Sequence, residues 1–260
     1  MKRGLKVLWF LLLMMSASTV FAQEGKCIVG GCHNGWGVYE DVDGNRYKGD
    51  FSDGEMSGDG KLVFVNGDQY EGEFVDGIRE GVGSFLWANG DRYEGEFVNG
   101  MRTGKGVFIW ANGDRYEGGF ANGAKTGKGT FTWKNGERYE GGFVNDSMTG
   151  EGKFFWVNGD YYEGDFVGGK RAGRGNMYWV NGDHYEGDFV DDARTGIGLF
   201  TYANGSYYEG DFVDGEQTGR GKFIRKNGDG YEGDFVNGIF QNGKEVHVDR
   251  SEGDMQFEGF

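Results

Sequence analysis

The sequence predicts an all-β protein, an elongated single-layer antiparallel sheet of consecutive β-hairpins. Three observations carry that expectation. First, Tyr47, Tyr70, Tyr93, Tyr116, Tyr139, Tyr162, Tyr185, Tyr208 and Tyr231 recur every 23 residues without a slip, and a fixed period of this length marks a repeat architecture. Second, the pattern inside each interval alternates with period two. Tyr70, Gly72 and Phe74 fall on one face of an extended chain and Glu71 and Glu73 on the other, and Gly81, Gly83, Phe85 and Trp87 share a face in the same way. Third, Asp76-Gly77, Asn99-Gly100 and Asn89-Gly90 separate these runs, and Asn-Gly or Asp-Gly between alternating segments is the strongest short-range hairpin signal.

Composition agrees with this reading and excludes others. Glycine makes up 54 of 260 residues and proline none, where ordinary usage is about 7% and 5%. Collagen is thereby excluded. Aromatic residues at 17% argue against disorder. The lack of proline suits strands that donate hydrogen bonds to neighbours on both sides. Glycine inside a strand normally weakens it, so its regular return needs a cause. We expect Gly72, Gly81 and Gly83 to leave bare backbone on which the neighbouring Tyr, Phe and Trp rings lie.

In chain order, residues 1–22 read as a signal peptide. Lys2, Arg3 and Lys6 precede the apolar run Val7 to Met15, and Val20-Phe21-Ala22 has the form of a cleavage site. The run is too short to span a bilayer. An exported chain, periplasmic or extracellular after cleavage near Ala22, is expected. Without the three cations the balance is 24 basic to 42 acidic residues, about −18. Such a charge is repelled by nucleic acid, so no nucleic-acid partner is expected, and a purely electrostatic hold on anionic lipid is equally disfavoured. Residues 23–46 form an N-terminal half-repeat or cap with Gly35, Gly37 and Tyr39. Residues 47–230 hold eight repeats. Residues 231–260 hold a ninth, partial repeat, whose pattern breaks at Ile239-Phe240-Gln241-Asn242, and a terminal segment from Glu245 on.

Units such as Tyr93 to Arg115, YEGEFVNGMRTGKGVFIWANGDR, resemble the MORN (membrane occupation and recognition nexus) repeat. The resemblance covers Tyr47 to Gly228 and begins again at Tyr231. It implies a rod of hairpins and a role in scaffolding, protein–protein association or dimerisation, with lipid binding also attributed to the family. Within it, Asp146 and Asp192 replace the usual turn glycine, Leu62 and Met177 a Phe-type residue, and Arg225 a Trp-type residue.

Four groups of residues are candidate sites. Cys27 and Cys32 flank Val29-Gly30-Gly31, where a turn is expected, and a disulfide suits an exported chain. A metal pair with His33 is the alternative. Glu71, Glu94, Glu117, Glu140, Glu163, Glu186, Glu209 and Glu232 follow the tyrosines, with further acids such as Glu73, Asp165 and Asp188. Paired carboxylates can bind Ca²⁺ or cleave glycosides. Copied along the whole chain, they read instead as a solvated face partly neutralised by Lys105, Lys128 and Arg174. The aromatic face is expected to be mainly core, with Trp87, Trp110, Trp133, Trp156, Trp179 and Tyr202 as the exposed contact stripe for a protein partner, a second copy, or a glycan or lipid surface. Asn145 and Asn204 head glycosylation sequons.

Other matches are accidental. Gly228-Asp-Gly230-Tyr-Glu-Gly233 has the letters of a dinucleotide fingerprint but no following helix. Asp41 to Asp50 lacks the first ligand of a calcium loop, where Tyr39 stands. His33, His184 and His247 are dispersed. No metal, cofactor or catalytic residue is expected; the chain reads as a non-enzymatic scaffold. If the Cys27–Cys32 pairing is right, the exported protein denatured without reductant titrates no thiol, and two reactive thiols in fresh material refute it.

Overall fold

The computed structural model describes residues 25–249, and every described element is a β-strand. The chain opens with β1 (Lys26–Gly30) and β2 (Gly35–Glu40). Each repeat then supplies a short and a long strand. The short strands are β3 (Arg46–Ser52), β5 (Gln69–Val75), β7 (Arg92–Val98), β9 (Arg115–Ala121), β11 (Arg138–Val144), β13 (Tyr161–Val167), β15 (His184–Val190), β17 (Tyr207–Val213) and β19 (Asp229–Val236). The long ones are β4 (Glu55–Val63), β6 (Ile78–Leu86), β8 (Met101–Ile109), β10 (Ala124–Thr132), β12 (Ser147–Phe155), β14 (Lys170–Tyr178), β16 (Ala193–Thr201), β18 (Glu216–Ile224) and β20 (Ile239–His247). Each strand pairs antiparallel with its chain neighbours, giving one open sheet of 20 strands. At about 4.8 Å per strand its contour is on the order of 90 Å. The predicted ribbon of hairpins is the observed fold. Residues 1–24, which include the expected signal peptide, and residues 250–260 lie outside the described residues.

Two turns alternate along the ribbon. Short and long strands of one repeat are joined by two residues that both have positive φ, such as Asn122 (49°) and Gly123 (83°). This is the turn whose twist matches that of the strands. Asp146 (69°) and Asp192 (72°) occupy the second position without glycine. Their carboxylates offset the strain by accepting the backbone N–H groups of Lys125 and Arg171, each at 3.0 Å, one repeat upstream. The other turn closes on itself. In Trp87 to Asp91, the Trp87 N–H donates to Asp91 O at 2.9 Å, and the Asp91 N–H donates to Asn89 Oδ1 at 2.9 Å. Asp91 also reaches the next repeat, where its Oδ1 accepts the Ala111 N–H at 2.8 Å. Asp68, Asp114, Asp160 and Asp183 act likewise. These turn carboxylates are inter-repeat ties.

Register explains most of the glycine. Gly118 pairs with Gly129 inside one hairpin, and Gly129 pairs with Gly141 of the next, so glycine columns cross the sheet. A Cβ on Gly129 would lie 2.5 Å from the Tyr116 Oη, and one on Gly118 2.4 Å from the same atom. The expected ring over bare backbone therefore holds for Gly72 and Gly83, which lie under Tyr70. It does not hold for Gly81. That residue has φ +62° and begins a bulge in the long strand, and its Cβ would meet the Glu73 carboxylate instead of a ring. Local backbone conformation set this glycine, which period-two counting cannot see.

The ends differ from expectation in detail. Val29 and Gly30 belong to β1, and the chain reverses over residues 31–34. At the other end β20 runs on to His247, so the broken pattern at Ile239 to Asn242 is still strand. Substitution separates the two reasons for glycine. Gly127 has φ +66° and nothing within 4 Å of the place a Cβ would take, so Gly127→Ala costs about 1–2 kcal/mol for the left-handed conformation alone. Gly129→Ala should cost about 3 kcal/mol, the upper end for an overpacked site, read from urea midpoints at constant m-value. Equal costs would mean that the ring does not set the glycine.

Candidate functional site

On one face of the sheet the repeat tyrosines and phenylalanines form an unbroken zipper. Tyr70 meets Phe74 of its own strand and Phe97 of the next repeat edge-to-face, both at 5.1 Å, and Tyr93 continues to Phe97 at 5.2 Å and Phe120 at 5.1 Å. The pattern runs from Tyr47 to Phe235. Edge-to-face contact is the favourable arrangement of aromatic quadrupoles. Tyr70, Tyr93, Tyr116, Tyr139, Tyr162, Tyr185 and Tyr208 are 0% exposed. Each phenol donates to the carbonyl three residues on, as Tyr116 Oη does to Gly119 O at 3.1 Å. Burial pushes the Tyr70, Tyr93, Tyr116 and Tyr139 phenols up to about 12, and those of Tyr162, Tyr185 and Tyr208 also upward.

Beside the zipper runs a second aromatic row. Phe85, Trp87, Phe108, Trp110, Phe131, Trp133, Phe154 and Trp156 follow one another at 4.4–5.2 Å. The row resumes with Trp179, Phe200 and Tyr202. The five tryptophans and Tyr202 singled out from the sequence are thus together on one face, half-buried against the zipper. They are neither wholly core nor wholly exposed. Among the described residues no protein acceptor takes an indole Nε1–H of the five, and none of those nitrogens is buried without a partner.

Between the two aromatic rows stands a row of cations that the sequence reading did not single out. Arg79, Arg102, Lys125, Arg171 and Arg194 stand one repeat apart, interrupted by Met148. The Arg102 guanidinium lies 5.6 Å from the Trp87 ring centre, 5.7 Å from Tyr93, 4.9 Å from Phe108 and 5.6 Å from Phe120. Arg194 repeats this over Trp179, Tyr185, Phe200 and Phe212. These are cation–π distances. Arg102 Nη2 also donates to Gly123 O at 2.7 Å, tying one repeat to the turn of the next. Burial draws the Arg79, Arg102, Lys125 and Arg194 pKa values down, and an arginine stays charged through such a shift. Lys125 and Arg171 pair with Asp146 and Asp192. Arg79, Arg102 and Arg194 make no ion pair among the described residues. The 23-residue spacing holds the signal, but apolar positions display that period far more plainly than charged ones.

Where Met177 replaces phenylalanine, the outer row opens. A cleft of about 510 Å³ lies between Trp156 and Trp179, lined also by Arg171, Met177, Phe189 and Arg194.

The opposite face carries the acidic ladder. Lys105 and Lys128 make no ion pair among the described residues; the ladder pairs instead with cross-strand cations, such as Lys61 with Glu71 at 3.5 Å, and with three arginines of its own strands. Arg92, Arg115 and Arg138 pair with Glu94, Glu117 and Glu140 two residues on, along the same strand face. Lys153–Glu163 (3.2 Å) and Arg174–Glu186 (3.8 Å) cross between strands. Side chains this exposed contribute little stability. One cluster here breaks the repeat: Phe155, Tyr161, Tyr178 and His184 stack in sequence, with the last two pairs at 4.4 and 4.3 Å, and Arg138 caps Phe155. Burial lowers the His184 pKa. No group of three His, Cys, Asp or Glu side chains suited to a metal ion occurs among the described residues. Cys27 and Cys32 are joined by a disulfide at the first edge of the sheet. His33 accepts the Gly54 N–H on its carbonyl at 2.8 Å, and His247 pairs with Asp229 at 2.8 Å.

With this geometry in place, the comparisons identify the family. The MORN repeat model matches residues 47–69, 70–92, 93–115, 116–138, 139–161, 162–184, 185–207, 208–230 and 231–243. The chain belongs to the MORN repeat family, and it is a repeat scaffold. No curated protein matches it. Among solved structures it is similar to the TCP10 domain of Danio rerio CPAP, at 13% identity over 76% of this chain and 93% of that one, TM-score 0.43. It is also similar to the Drosophila melanogaster SAS-4 TCP domain in complex with a proline-rich motif of Ana2, at 15% identity over 77% and 96%, TM-score 0.30. Virginiamycin B lyase from Staphylococcus aureus follows at 10% identity over 88% and 89%, TM-score 0.17. At these scores the likenesses carry nothing about what this chain binds.

The buried phenols set an alkaline limit. A phenol raised in the folded state contributes stability that is complete below its unfolded value near 10 and is lost as pH rises through the folded value. Because the core tyrosines share this shift in the same direction, the loss is cumulative. Strand dichroism should collapse between about pH 10 and 12, together with a late phenolate absorbance step. A full phenolate signal at pH 10 with the sheet intact would contradict the buried zipper.

Proposed function

We propose that this chain is an exported, non-enzymatic scaffold whose aromatic face holds protein partners, with a second copy of itself among them. The observation that carries the reading is the repetition of one half-buried tryptophan–cation arrangement along the ribbon. A reaction centre needs a few groups converging at one point, whereas here the same groups return in four of the repeats. Repetition instead suits association, because each further unit extends one continuous contact surface. Aromatic side chains with arginine are also the composition enriched at protein interfaces.

Export is supported by the basic and apolar run of residues 1–22 and by the Cys27–Cys32 disulfide, since such bonds persist in oxidising compartments. The net charge of −15 works against nucleic acid and anionic lipid surfaces.

Replacing Trp110, Trp133 and Trp156 together by alanine tests the reading. Strand dichroism should survive, because Tyr116, Tyr139 and Tyr162 keep their phenylalanine partners. Crosslinks to protein from a photoreactive side chain at Ala111, in the turn beside Trp110, should disappear. Loss of polysaccharide retention with those crosslinks unchanged would replace the protein reading by a glycan one, and a melted sheet would make the rings core alone. Sedimentation should show a dimer, and a monomer at high concentration would remove the self-association part.

A further inference from the structure

One hairpin of the ribbon lacks the ties its neighbours have. Arg79, Arg102 and Arg194 donate to the turn carbonyls of Gly100, Gly123 and Gly215 one repeat on. Lys125 and Arg171 reach Asp146 and Asp192 at the matching turns. For the turn between β13 and β14 the corresponding residue is Met148, whose side chain has no hydrogen to donate to Gly169. That turn is Gly168-Gly169, with φ of 57° and 87°, where the other repeats set asparagine or aspartate in the first position. Glycine there gives up more freedom on folding than any other residue. Met177 of β14 also stands where the repeats on either side place Phe154 and Phe200.

The same hairpin carries a cross-strand pair of its own kind. At the register position where other hairpins set Arg92 against Ile109 or Arg115 against Thr132, β13 and β14 set Tyr161 against Tyr178. The two rings stack with centres 4.4 Å apart and planes 17° from parallel. Both lie half-buried on the acidic face. No protein group hydrogen-bonds either phenol among the described residues, and neither phenolic oxygen is buried. The zipper tyrosines differ on each count. Tyr39 stands opposite Tyr47 across β2 and β3, but Tyr47 is 1% exposed and donates to Asp50 O at 3.0 Å.

We propose that Tyr161 and Tyr178 are an oxidative crosslinking site, coupled by a haem peroxidase and hydrogen peroxide into a dityrosine that braces the β13–β14 hairpin. Each phenol gives up one electron and its proton, and the peroxide takes up both and leaves as two waters. The two phenoxyl radicals carry spin on the ring carbons beside the oxygen. One Cε–Cε bond joins them, and the hydrogen on each joined carbon moves to the phenolic oxygen, restoring both aromatic rings. Residues directly opposite in an antiparallel pair hold their Cβ atoms about 4.5–5.5 Å apart, so the half-exposed ring ends meet by tilting. The bond closes covalently the hairpin that lacks the cation tie, the turn asparagine and the outer phenylalanine. These groups lie on the acidic face, so the site is independent of what the aromatic face binds.

Treating the folded protein with a haem peroxidase and hydrogen peroxide tests the site. Dityrosine fluorescence should appear without a dimer band on a reducing denaturing gel. Peptide mass mapping should find Tyr161 joined to Tyr178 with two hydrogens lost. Tyr161→Phe and Tyr178→Phe should each abolish the product, whereas Tyr207→Phe should leave it unchanged, with dichroism reporting the sheet in every variant. A broad-specificity protease should nick the oxidised protein within residues 165–172 about tenfold more slowly than the untreated protein, and oxidised Tyr178→Phe should gain no protection. No dityrosine in the folded protein, a product that persists in folded Tyr178→Phe, or a crosslink only between chains overturns the proposal. Equal nicking before and after the Tyr161–Tyr178 bond forms overturns the brace.

Discussion

The ribbon depends on one contact, a buried tyrosine ring laid over two facing glycines. A sheet one layer thick has no second sheet or helix to cover it, so its core must come from its own side chains. Tyr116 illustrates the solution. Its ring rests over Gly118 and Gly129, its hydroxyl donates to Gly119 O, and its edges meet Phe120 and Phe143. The ring therefore seals backbone that would otherwise face water, and it joins one repeat to the next through Phe143. Without glycine at both positions the ring would stand off the sheet, and the zipper would lose its floor.

Continuity between repeats comes from three ties of different kinds. The tyrosine–phenylalanine zipper is apolar and buried. The turn aspartates, such as Asp91 to the Ala111 N–H, satisfy backbone donors at one margin of the ribbon. The arginines, such as Arg102 to Gly123 O, do the same for backbone acceptors at the other. Each tie spans consecutive repeats, so stability accrues by neighbour interactions along a line. The cations that bind the turns also lie over the rings of the aromatic face.

Much of this is legible in the residues. The tyrosine period, the alternation and the Asn-Gly and Asp-Gly pairs specify strands, hairpins and the face each side chain takes, because strand geometry is strictly periodic. Trp87, Trp110, Trp133, Trp156, Trp179 and Tyr202 group together for the same reason. The bulge at Gly81 is not foreseeable, since it preserves the spacing of glycines while changing why one is needed. The arginine row is hidden although Arg79, Arg102, Arg171 and Arg194 share the period, because a long charged side chain at a strand end is usually solvated. Pairing alone assigns Lys105, Lys128 and Arg174 to the acidic ladder; Arg174 does pair with Glu186, whereas Arg92, Arg115 and Arg138 reach glutamates along their own strands.

The sequence by itself determined the repeat, the hairpins, the glycine columns and the family, since all of these are written in spacing that local chain geometry obeys. Only the tertiary structure decided how deeply each ring is buried and which cations lie over which aromatics. It alone opened the cleft at Met177. Those outcomes depend on how neighbouring repeats pack, and the reach of a flexible side chain is fixed by what surrounds it rather than by its place in the period.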